Sequence, residues 1–148
     1  MPITQEFSMA DIEAEIQKQI EAKEKVVINT LNYVGKSAVT AAREGGRYVD
    51  QTGNLRSSIG YIIVKNGSVL KNGGFDVIKG GGKGKSEGNT FIQSLISTHS
   101  QGIWLIMVAG MKYAGYVEAM GLDVLTYAEL LAERKVPELL KQLGFKLQ

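Results

Sequence analysis

Apolar residues recur at Ile12, Ile16, Ile20, Val27, Leu31, Val34, Ala38 and Ala41, with gaps of 4, 4, 7, 4, 3, 4 and 3. Those gaps trace one face of an α-helix. Ser8-Met9-Ala10-Asp11 supplies the start: the serine hydroxyl caps an early N–H, and an acid three residues on suits the positive end of the dipole. Gly45-Gly46 supplies the stop. Residues 9–44 at ~1.5 Å each reach about 54 Å. A compact chain of 148 residues has a radius of gyration of ~15 Å, hence a body roughly 40 Å across. So either the helix breaks, near Asn32 to Gly35, or part of it projects beyond its own body. A projecting apolar stripe needs a partner chain to cover it.

Composition narrows the chemistry. Hydrophobic residues make up 44% and charged residues 22%, which fits a globular chain and not a disordered one. There is no cysteine and one histidine, His99, which excludes disulfide scaffolds, thiolate sites and multi-histidine metal centres. Met1 to Glu6 has neither a basic region nor an apolar run, so no signal peptide is expected. The longest uncharged apolar block, Ile103 to Gly110, is far below the ~20 residues that span a membrane. A soluble protein made in a reducing compartment is expected. Net charge is +2. Residues 51–100 carry 6 basic and 2 acidic side chains, a mild excess that is not by itself a nucleic-acid footprint.

Beyond the helix the pattern becomes strand-like. Leu55-Arg56-Ser57-Ser58 suits either one helical turn or the start of a strand. Ile59 to Val64 is β-branched and aromatic, and Asn66-Gly67 is a two-residue hairpin signal. Ser68 to Lys71 is then the return strand, Asn72-Gly73-Gly74 a second turn, and Phe75 to Lys79 a third short strand. Residues 80–89 hold five of the 18 glycines and read as a mobile loop. Thr90 to Ser97 reads as a short helix and Ile103 to Ala109 as a buried central strand with Trp104 in the core. Thr126-Tyr127-Ala128-Glu129 is a second capping box, and Pro137 predicts a kink or break in the helix behind it. The expected class is α+β: a long N-terminal helix, an antiparallel β-meander, a short middle helix and a C-terminal helix. One domain over 1–148 is expected, with 8–44 helical, 55–125 the sheet region and 126–143 the last helix.

No catalytic pattern is complete. Gly84-Lys85-Ser86 matches the end of a phosphate loop, but the first glycine of that motif falls on Lys79. His99 has no nucleophile elbow to serve and reads as a surface or helix-end residue. Asp50, Asp76, Glu118 and Asp123 have no metal-ligand spacing. Asn66-Gly67-Ser68 is a turn and not a glycosylation acceptor. Catalytic residues, metal ligands and cofactors are therefore expected to be none, and no small-molecule substrate or membrane partner is expected.

Two segments carry a more specific signal. Tyr48-Val49-Asp50-Gln51-Thr52-Gly53-Asn54-Leu55-Arg56-Ser57-Ser58-Ile59 follows the long helix, and Tyr113-Ala114-Gly115-Tyr116-Val117-Glu118 comes some fifty residues later. The first resembles the D-T-G-x-L-R-x-S-I signature, and the second the Y-A-x-x-V-E motif, of the tail-completion or neck proteins of long-tailed bacteriophages and prophages. Gln51 separates the aspartate from Thr52-Gly53, where the commoner pattern joins them. The resemblance implies a virion structural protein at the head–tail junction or upper tail end, made in the bacterial host cytoplasm and not an enzyme. It implies a homo-oligomer, a hexameric ring, with connector and tail tube proteins as partners. The motif positions carried over are Asp50, Thr52, Gly53, Asn54, Leu55, Arg56, Ser58, Ile59, Tyr113, Ala114, Val117 and Glu118.

Physical roles follow for several of them. Asp50 accepts backbone N–H bonds, Gly53 permits a positive φ, and Leu55 and Ile59 plug the core. Arg56 offers a rigid fork for a carboxylate, with Glu118 the candidate partner. The rival reading is a small nucleic-acid-binding protein that uses the basic 79–85 loop.

Overall fold

A computed structural model describes residues 2–146. Met1, Leu147 and Gln148, which the single-domain expectation includes, lie outside the described residues. The class is α+β: a long N-terminal helix, a three-stranded antiparallel sheet, short middle helices and a C-terminal helix.

Helix α1 runs Met9–Gly45 without interruption. Its start is the expected box, with Asp11 N–H donating to the Ser8 hydroxyl and Ser8 N–H donating to the Asp11 carboxylate. Of the two outcomes for so long a helix, projection is the one realised. The expected break at Asn32 to Gly35 is instead a cradle for one ring. A Cβ at Gly35 would stand 2.7 Å from the Tyr61 ring, and the Tyr61 hydroxyl donates to Asn32 Oδ1 at 2.7 Å. Glycine serves close packing there, not a stop.

Strand β1 (Ile59–Lys65) is the centre of the sheet, between β2 (Ser68–Gly74) and β3 (Ile103–Ala109). β1 and β2 form the expected hairpin through Asn66 and Gly67, both at positive φ. The third strand returns to pair with β1, so the order is β2-β1-β3 and not a sequential meander. The expected turn at Asn72-Gly73-Gly74 belongs to β2. Phe75 to Lys79 is no strand: Phe75 adopts φ 55 and leaves the extended geometry, so its ring reaches Gly60 and Gly88. β3 lies at an edge, not the centre, and Trp104 is 47% exposed instead of buried. An apolar run reports a half-buried strand and a fully buried one alike.

β1 is apolar and buried from Ile59 to Val64 because both its faces are covered. Ile59, Tyr61 and Ile63 meet Ala38, Val39 and Ala42 of α1, while Ile62 and Val64 meet Phe75, Ile92 and Val108. The helix that supplies Ile92 is α3 (Gly82–Leu95), in the segment expected to be a mobile loop. Gly84 and Gly88 are buried on its inner face. A Cβ at Gly84 would stand 1.9 Å from the Asn54 carbonyl oxygen, and one at Gly88 would stand 2.6 Å from that of Ser58. These glycines let a helix lie directly on backbone, and the packing offsets their low helix propensity. The helix expected over Thr90 to Ser97 is the second half of α3 plus a single 3-10 turn, Ile96–Thr98.

Helix α5 (Thr126–Gln142) packs on α1 and passes through Pro137 without ending. Glu133, whose carbonyl Pro137 leaves without an N–H, is exposed, where solvent can take the place of the lost bond. No side chain within Thr126 to Glu129 forms the expected capping box. The cap comes instead from Glu118, earlier in the chain.

Candidate functional site

The first motif is built around one buried carboxylate. Asp50 is 5% exposed and accepts the backbone N–H groups of Arg56 at 2.9 Å and Leu55 at 3.4 Å. These are free N–H groups of the first turn of α2 (Asn54–Ser57), where a negative charge is favoured. Gly53 enters that turn at φ 77, and a Cβ there would stand 1.9 Å from the Ile78 carbonyl oxygen. Thr52 Oγ1 accepts the Asn54 N–H, and Asn54 Oδ1 accepts the Gly84 N–H at 3.0 Å, which fixes the start of α3. Leu55 and Ile59 are in the core. The Ser58 hydroxyl donates to Leu55 O and accepts the Met111 N–H, which ties this motif to the chain just before the second.

Arg56 and Glu118 do not meet. Arg56 turns back to α1: its Nε donates to Arg43 O at 2.8 Å, its Nη2 to Gly46 O at 3.0 Å, and its guanidinium lies 4.6 Å from the centre of the Tyr48 ring. Both carbonyls belong to the negative end of α1, which a fixed cation suits. Glu118 turns to the opposite end of another helix. It sits in the last turn of α4 (Ala114–Ala119) with its carboxylate on the N-terminus of α5, accepting from Val124 N–H at 2.7 Å and from Leu125 N–H, Thr126 N–H and Thr126 Oγ1 at 2.8 Å each. The fork and the carboxylate each found backbone groups that demand a charge, so neither needed the other.

The two motifs nonetheless converge. Tyr48, Asp50, Leu55, Tyr113 and Val117 line one shallow cleft of about 260 Å³ between them. Ala114 is buried in the same core as Leu55, and Val117 packs against it. Tyr113 stands at the head of α4, 42% exposed. The join is completed by residues that sequence reasoning missed. Arg47 N–H donates to Leu122 O and its Nη2 to Gly121 O, linking the end of α1 to the turn before α5. Arg43 pairs with Asp76, and Asp123 Oδ1 accepts the Tyr127 N–H. The only available signal was their place: Arg43 and Arg47 sit in and just after the last turn of a helix, where cations belong.

Burial pushes the Tyr48 hydroxyl up to about 12, against the opposing pull of Arg56. Burial raises Tyr61, and burial with the Asp50 and Glu87 charges raises Tyr113. Burial also acts to raise Glu118, but its hydrogen bonds from Val124, Leu125 and Thr126 together outweigh it and hold the carboxyl below its ordinary value. The site can therefore hold two helix ends in a fixed relation. Among the described residues, no three His, Cys, Asp or Glu side chains gather as a metal site, and no helix is long and apolar enough to cross a membrane. In the basic segment, Lys79 Nζ donates to Asp50 O, and Lys83 stands 3.9 Å from Glu87.

That joined corner holds the buried half of α1, and the other half leaves the body. Every residue from 9 to 23 is exposed, including Ile12 at 42%, Ile16 at 53% and Ile20 at 44%. No family model, curated protein or solved structure matches the chain.

Proposed function

We propose that the chain is a structural subunit of a long-tailed bacteriophage or prophage. In this reading it acts at the head–tail junction or the upper end of the tail, in tail completion or head–tail joining. It works by complementary surfaces and performs no catalysis. Its partners are further copies of itself in a hexameric ring and the connector and tail tube proteins, and its place is the virion.

One observation carries the reading. The two segments that resemble the neck-protein motifs fold against each other in one packed corner, and from that corner a helix projects with an apolar stripe its own body leaves bare. A fixed hub with a bare arm is the geometry of a subunit that is completed by a neighbour. The test is genetic. Deleting the chain from a phage that encodes it should leave heads and tails unjoined, or tails of faulty length, and supplying it in trans should restore joined particles. Normal infectious particles after deletion would falsify the assignment.

A further inference from the structure

The bare stripe of α1 and a groove at the far end of α5 differ in charge in a way that pairs them. Residues 9–22 carry four carboxylates, Asp11, Glu13, Glu15 and Glu21, against one lysine, Lys18. At 3.6 residues per turn, Glu13 and Glu15 fall on the two sides of the Ile12-Ile16-Ile20 stripe. The groove runs where α5 meets the middle of α1. It consists of two adjoining clefts that share Val26 and Leu143; Leu139 and Phe145 add to its apolar lining, and its described lining carries two lysines, Lys23 and Lys146, and no carboxylate. Leu143 is 57% exposed.

We propose that the acidic arm of one copy docks in the lysine-rimmed groove of the next copy. This rests on reading the chain as an assembling subunit, and it names the surfaces. The occupant cannot be the chain's own arm. The arm and the groove wall belong to one continuous helix, Met9–Gly45, which cannot fold back on itself. Two arms paired with each other would set eight carboxylates against four lysines (twice the four and the two of residues 9–23), and that excess of like charge disfavours a two-fold arm–arm contact. Arm into groove unites opposite charges and covers both apolar surfaces at once. The two surfaces differ, so the contact is head-to-tail and closes into a ring when the rotation allows.

The chain has no cysteine, so single thiols report the contact cleanly. Full-length I16C and L143C proteins, both at exposed positions, are mixed at high micromolar concentration and oxidised. The expected product is the mixed disulfide in excess of either self-linked dimer. Adding K23E and K146E to the L143C chain should lower its yield by on the order of fivefold, and E13K with E15K on the I16C chain should restore it. Predominant I16C self-linkage, or no linkage at all, overturns the proposal. If linkage fails while deletion still leaves heads and tails unjoined, the docking surface falls and the tail role stands.

Discussion

Arg56 and Glu118 are each held by backbone groups at a helix end and not by an opposite charge. The Arg56 fork holds two carbonyls at the end of α1, at 2.8 and 3.0 Å. Arg56→Met should cost about 2 kcal/mol in urea unfolding, since charged hydrogen bonds to helix ends are the stronger kind. Arg56→Lys should recover less than half of that, because one ammonium cannot reproduce the planar fork. A double cycle with Glu118→Gln should be additive, because the two groups serve different helices. Glu118 also makes stability depend on pH. Its folded-state pKa lies below the unfolded 4.5, so its contribution is fully present above 4.5 and is lost as pH falls through the folded value. The stability gap between the wild type and Glu118→Gln should therefore be constant from neutral pH down to about 5 and close below 4.5. A gap that persists in acid would mean that shape, not charge, holds the α5 cap.

At the scale of elements, α3 is where local propensity and tertiary packing disagree. Gly84 and Gly88 read as loop because glycine is a poor helix former, yet each is required where the helix rests on backbone oxygen. Gly84→Ala should destabilise by about 2–4 kcal/mol despite its better helix propensity. Gly82→Ala, on the same helix with nothing within 4 Å of its Cβ, should be neutral or stabilising by up to about 1 kcal/mol. Thermal melts of the two variants give the contrast directly. If both stabilise, α3 is not seated on β1 and α2 as described. The same disagreement explains which elements were legible in the sequence. The continuous period from Ile12 to Ala41 and the Asn66-Gly67 hairpin carry their structure locally, so they could be read. The place of β3 at an edge, the fate of Phe75 and the α5 cap depend on partners far along the chain, which one sequence does not disclose. In the candidate site, residue types such as the Asp50 carboxylate were legible from turn chemistry. The partners of Arg56 and Glu118 were not, because a fork and a carboxylate suit each other as well as they suit helix ends.

For the whole molecule, the corner formed by the two motifs and the bare arm are the features the proposed role uses. An isolated helix as short as the arm is marginal in water, so it should fray in the free chain. Amides of residues 12–22 should exchange quickly in the monomer, those of residues 34–42 slowly, and the arm should become protected once copies assemble. Rapid exchange that persists in the assembly would remove the arm from the contact.

In the proposed role this chain is a working part of the particle, repeated around the tail axis. Counting its copies in purified virions, by quantitative mass spectrometry against the connector protein, decides the matter. The expected result is a fixed ratio that matches a hexameric ring and holds in every preparation. Absence of the chain from infectious particles, or a ratio that drifts between preparations, would contradict it.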